Sequence, residues 1–200
     1  IAGSLVRNGN LLTGSIANTI EYNGINQTLA SPNGTLPAYY NLIVSGMGAI
    51  VPSTLNITGN LTLNQPVNFN GNTLTMMGQV NQLIGGTASA NLNNLLIANL
   101  EDTVSLSTNT FINGTLTLTS GKLNIGSYNL TLGNNPVSGA FSSNTMIVAS
   151  GSGEVRRTFT TTGGYLFPIG DNTENADYSP ITVFMTSGAF SNAYVGVSVT

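Results

Sequence analysis

The sequence predicts an all-β fold: a parallel β-solenoid of the right-handed β-helix type, followed by the start of an antiparallel β module. Three observations predict it. Apolar residues fall two apart in short pairs, as in Leu116 and Leu118, Leu123 and Ile125, Leu130 and Leu132, with polar or small residues between. Such period-two alternation marks a strand with one buried face, and no helix has that rhythm. The pairs also recur: adding 55 or 56 to Leu61, Leu63, Val67, Phe69, Leu74 and Met76 lands on the six residues just named. Finally, only 6% of the 200 residues are charged, against about 25% in an ordinary soluble domain. Polarity comes instead from Asn, Thr, Ser and Gly, which argues against charged amphipathic helices and against disorder.

Taken in order, "GSIANTI" (14–20) resembles "GQVNQLI" (78–84) and reads as a partial first copy. Leu42 and Val44 correspond to Leu95 and Ile97, and Ile57 to Ile112. These matches divide residues 1–162 into repeats of about 55 residues, 14–76 and 78–132, longer than a usual single-turn unit. Leu42, Leu61 and Val80 lie 19 apart, so each repeat reads as three coils. Strands this short are not stable as isolated hairpins, but stacked coil on coil they share an apolar interior. Gly and Asn supply the turns, because both tolerate positive φ, and outward Thr suits the pleat. From Gly133 the rhythm weakens, and 133–162 reads as a cap with Arg156 and Arg157 at the solenoid's end. After Gly163, "YLFPIG", the loop "DNTENADYSP" and "ITVFMTSGAFSNAYVGVSVT" read as the first strands of a β-sandwich-like module over 163–200. An antiparallel sandwich also has short, regular strands, but it would not need direct repetition of three-strand groups.

The net charge is −3, with Arg7, Lys122, Arg156 and Arg157 the only cationic side chains. Four cations do not make a nucleic-acid surface, which neutralises many phosphates. No apolar run is long enough to span a membrane, and no signal segment opens the chain. Beginning at Ile1 and ending on "VGVSVT", it reads as a mature protein or a piece of a longer one. Cys, His and Trp are absent, which removes disulfides, thiolate chemistry and the commonest acid–base residue.

The acids are Glu21, Glu101, Asp102, Glu154, Asp171, Glu174 and Asp177. Glycoside hydrolysis needs two carboxylates converging on one bond, and alternation sends the adjacent Glu101 and Asp102 to opposite faces of a strand. Lys122 reads as a solvated turn residue, so no catalysis and no required cofactor are expected. Asp171, Glu174 and Asp177, three apart in a polar loop, form a candidate Ca²⁺ site of oxygen ligands. Tyr39 and Tyr40 are adjacent, so one of them should face outward as a carbohydrate contact, whereas Phe69 alternates with Val67 and belongs to the core. The Asn-X-Thr triplets at Asn26, Asn33, Asn56, Asn60, Asn113 and Asn129 read as turn chemistry. "TLT" does not recur at every coil, which argues against a flat ice-binding face.

The stretches "TIEYNGINQTL", "YYNLIVSGMG", "GTLTLTSGKLNIGSYNLTLG", "GSGEVRRTF" and "YLFPIGDNTENADYSPITV", in this order, resemble the repeat-rich, adhesin-like exported surface proteins of the Bacteroidota, many of them cargo of the type IX secretion system. The resemblance implies secretion to the cell surface and a β-helical stalk. Its implied partners are the secretion machinery and cell-surface or extracellular molecules, glycans among them. It also implies that Thr103, in the triplet Asp102-Thr103-Val104, accepts an O-glycan. The expected function is a non-catalytic stalk or fibre spacer. The alternatives are a carbohydrate- or partner-binding module and a self-assembling subunit.

Overall fold

A computed structural model describes residues 1–3, 5, 11–188, 190 and 194–199; Arg7 lies outside them. Among the described residues there is no helix, and parallel strands stack into a β-solenoid of about seven turns. Each coil crosses three faces. The first face holds Thr19–Tyr22, Asn41–Val44, Leu61–Leu63, Gln82–Gly85, the second halves of Asn94–Leu106 and Leu116–Asn124, Ile147–Val148 and Ile169–Asp171. The second holds Ala49–Ile50, Val67–Asn68, Ala90–Leu92, Thr110–Ile112, Leu130–Leu132 and Val155–Thr158. The third holds Leu55–Ile57, Thr73–Met76, the first halves of the two long strands and Ser138–Gly139. Bridges from Thr13 to Tyr39 and from Tyr39 to Ile57 carry the third face back to the first coil. The long strand Asn94–Leu106 bends from the third face to the first, with register breaks on either side of Ala98.

Alternation decides which side chains enter the core. Leu42, Ile57, Leu61, Leu63, Ile112, Leu116, Leu118, Leu123, Ile125, Leu130 and Leu132 are all buried, in one continuous cluster. On the third face Leu55, Leu74, Leu95 and Leu116 stand in direct register, one per coil. Burying each such side chain contributes about 1.5–3 kcal/mol.

The sequence rhythm counts sides, not coils. Leu116 and Leu118 lie on the third face, Leu123 and Ile125 on or just past the first, Leu130 and Leu132 on the second. Three sevens therefore close one coil. Register partners on the first face are 19 to 24 residues apart, from Leu42↔Leu61 at the short end to Leu123↔Ile147 at the long end. The offset of 55 or 56 carries Leu61 on the first face to Leu116 on the third, and Leu74 on the third to Leu130 on the second. It spans eight sides where three whole coils would span nine, so the 55-residue division does not coincide with coils. Every side buries alternate residues, so any two sides look alike in sequence. Val80 is not the next rung after Leu61, which pairs with Ile84; it is 53% exposed in a corner loop.

Asparagine fastens one coil to the next. The Oδ1 of Asn41 accepts from the Asn60 N–H (2.8 Å), that of Asn60 from Leu83 (2.9 Å), and that of Asn94 from Thr115 (2.9 Å). Asn109 and Asn129 do the same for Asn129 and Glu154 (2.9 and 3.1 Å). Each sits at the entry to a strand, satisfying a corner N–H of the following coil that the ladder leaves open. The triplets Asn60-Leu61-Thr62 and Asn129-Leu130-Thr131 are thus corner cap, inward residue and outward residue.

Past Gly163 strand direction changes, but the chain stays on the solenoid. Gly163–Phe167 and Ile181–Met185 form a separate antiparallel ribbon. Ile169–Asp171 adds a parallel rung beside Ile147–Val148, Asp177–Tyr178 closes that edge antiparallel, and Tyr194–Val197 closes the second face against Val155–Thr158. Tyr165, Phe167 and Ile169 belong to the same core cluster as Leu42, so the antiparallel strands that begin at Gly163 pack onto the solenoid's end. Arg157 occupies the inward column of Leu92, Ile112 and Leu132 and terminates it. Its guanidinium donates to the carbonyls of Gly133 (2.7 Å), Asn134 (2.6 Å) and Asn135 (3.2 Å) and lies 3.8 Å over the Tyr165 ring. Arg156 points outward, paired with Glu154 and stacked on Tyr194.

Candidate functional site

The two tyrosines part ways at the corner between the third and first faces. Tyr39 is fully buried, so it offers nothing to a ligand in solvent. Its hydroxyl donates to the Ala30 carbonyl, accepts from the Tyr22 hydroxyl (2.9 Å), and Tyr22 in turn accepts from the Ala30 N–H (3.0 Å). This closed ring satisfies both backbone groups of a corner residue inside the core. Tyr39→Phe breaks it at two points and is expected to cost about 1–2 kcal/mol, read as a lower urea midpoint. An unchanged midpoint would mean that water replaces the ring without penalty.

Tyr40 is half-buried and floors a recess of about 400 Å³. The recess exists because the corners differ in length. The second coil turns at Tyr40 alone and the third within Thr58–Asn60, whereas Gly14–Asn18 in the first coil and Met77–Asn81 in the fourth loop outward. Leu36, Thr58, Met77, Val80 and Leu100 complete the lining around Tyr40. Buried amides hold the far wall. Gln82 Oε1 accepts from the Gly78 N–H (2.8 Å), and its Nε2 donates to the carbonyls of Ile57 (3.1 Å) and Gly59 (2.7 Å). Asn99 Nδ2 donates to the Val80 carbonyl (2.7 Å) and Thr58 Oγ1 to that of Gly14 (2.8 Å). The result is a pre-formed, largely apolar recess whose one titratable lining group is the Tyr40 phenol. Met77, Val80 and Leu100 carry no sequence motif; their only signal is the long register interval between Leu61 and Ile84.

The acidic loop is organised locally. Asp171 and Asp177 face each other across an antiparallel pair, and Glu174 has φ +59° at the turn between them. The Asp171 carboxylate accepts from the Thr173 N–H (2.8 Å) and hydroxyl, and these bonds hold it below the ordinary carboxylate range. Asp177 accepts from the Ser179 hydroxyl (3.1 Å). Among the described residues no three acids gather around a point where a metal ion could sit. The spacing is that of a hydrogen-bonded turn.

Thr103 lies on the outer side of the first face but is only 8% exposed, beside Lys122 in register. It lines an open groove with Asn81 and Ser105. Compared with known proteins, the chain matches no family model, no curated protein and no solved structure.

Proposed function

We propose that the chain is a non-catalytic structural segment, a rigid spacer of an exported bacterial surface protein that holds other modules away from the cell. The observation that carries this reading is the single apolar core cluster that includes both Leu42 and Ile169, laced from coil to coil by parallel ladders and asparagine caps. Such a stack buries its interior continuously along one axis and bends little, because each coil is held by both neighbours. The extracellular setting rests on the resemblance of the motif order to Bacteroidota surface proteins. The lack of native Cys makes a direct test simple. Spin labels at Met47→Cys and Ser152→Cys, on the same corner five coils apart, should give one narrow distance peak at a backbone separation of about 24 Å. A broad distribution would remove the rigid-spacer reading.

A second reading, a partner- or carbohydrate-binding module, is favoured by the Tyr40 recess. Tyr40→Ala should then abolish binding on a glycan array while leaving thermal unfolding within about 1 kcal/mol of the parent, as for a half-exposed side chain. Equal signals from both proteins would clear Tyr40 of that role.

A further inference from the structure

We infer that the outer side of the first face binds an extended, neutral oligosaccharide lying along the solenoid axis. An open groove of about 460 Å³ runs there. Its floor is one column of side chains from four successive coils. Asn60 caps the N–H of Leu83, Leu83 is in register with Ser105, and Ser105 with Asn124. At the usual interstrand spacing the column extends about 14 Å. The hairpin loop after Asp171 brings Asn172 to the same groove.

Three features point to the ligand. The lining consists of amides and hydroxyls with one Leu, and its nearest cation, Lys122, lies one rung past Thr103 outside it, so the lining itself offers a charged ligand no counter-ion, whereas sugar hydroxyls and ether oxygens find donors. The donors are pre-oriented. Asn60, Asn81 and Asn124 each commit Oδ1 to a backbone N–H, of Leu83 (2.9 Å), Thr103 (3.4 Å) and Gly126 (3.0 Å). That fixes the amide planes and leaves each Nδ2 without a protein partner among the described residues. Donors held in place before binding avoid the ordering cost that weakens flexible sites. Lastly, the rung spacing is close to the advance of one pyranose unit in an extended glycan, so successive sugars can meet successive rungs with the same geometry. This groove adjoins the Tyr40 recess across Asn81 and Gln82, but Tyr40 is not among its lining residues.

The test uses the whole chain and calorimetric titration with three probes: cellohexaose, maltohexaose and hexagalacturonate. Binding of cellohexaose in preference to the curved maltohexaose and the charged hexagalacturonate is expected. Ser105→Trp fills the middle of the groove from the outer side and should weaken cellohexaose at least tenfold with the unfolding midpoint retained. Asn124→Leu removes one donor and should weaken it several-fold. Failure of cellohexaose to bind, tighter binding of maltohexaose or hexagalacturonate, or undiminished affinity in Ser105→Trp would each overturn the inference. None of these results bears on rigidity, so the spacer reading stands or falls separately.

Discussion

Leu116→Asp is expected to be among the most damaging single substitutions in the chain, while Thr117→Asp, one residue on, is nearly silent. Leu116 is buried on the third face, directly above Leu95, in a column that continues through Leu74 to Leu55. Losing its packing costs about 2–5 kcal/mol by analogy with other buried leucines. A carboxyl group placed there without a partner adds roughly 1–3 kcal/mol even when it takes up a proton. The total approaches the whole stability of an ordinary domain, about 5–15 kcal/mol. Thr117 faces outward in register with Leu96 and Ser138, and its replacement should stay within about 1 kcal/mol. The two variants also separate by pH. Burial raises the introduced carboxyl's pKa in the folded state, so the folded form binds the proton more tightly. The stability it supports is therefore present below the unfolded carboxyl's pKa and lost as pH rises through the folded one. Leu116→Asp should accordingly be less destabilising in acid than at neutral pH. Equal melting curves for the two variants would reverse the inward assignment of the face.

Gly86→Ala should cost roughly 3–4 kcal/mol, the sum of a strained backbone and a steric conflict with the preceding coil. Gly86 turns the corner between the first and second faces at φ +128°, where a side chain is disfavoured. A Cβ there would stand 2.1 Å from the Leu63 carbonyl oxygen, the same oxygen that accepts from the Ala88 N–H at 3.0 Å. The obstacle is backbone and has nowhere to move without opening the ladder. Gly71 is the control. It also has positive φ, +79°, but nothing lies within 4 Å of its would-be Cβ. Gly71→Ala should therefore cost only the conformational strain, about 1–2 kcal/mol. The difference between the variants, measured by denaturant unfolding, isolates the close approach of coils. No difference would place the two coils farther apart at that corner than the structure has them.

These contrasts mark how far the sequence could be read. Period two identified the inward residues, because a strand turns alternate side chains to opposite faces whatever its neighbours are. Every residue of the proposed apolar ladder is buried for that reason. The same rule could not say which strand lies above which. Main-chain hydrogen bonds are blind to side-chain identity, so a 55-residue match between Leu61 and Leu116 looked like whole coils and was eight sides. It could not separate a parallel rung from an antiparallel strand either, so the parallel pairing of Ile169 with Ile147, among the antiparallel strands after Gly163, was not legible.

What the sequence by itself determined is the class of fold, the in–out assignment of the ladder and the scarcity of acid–base chemistry. These are local consequences of alternation and composition. What only the tertiary structure decided is everything set by corner length: that Tyr39 closes a hydrogen-bonded ring inside while Tyr40 floors a recess, that Val80 and Leu100 stand at its rim, and that Asn60 and Asn124 share one groove. A corner of one residue and a corner of five both return the chain to the same ladder, and the difference between them appears only as the space left between neighbouring coils.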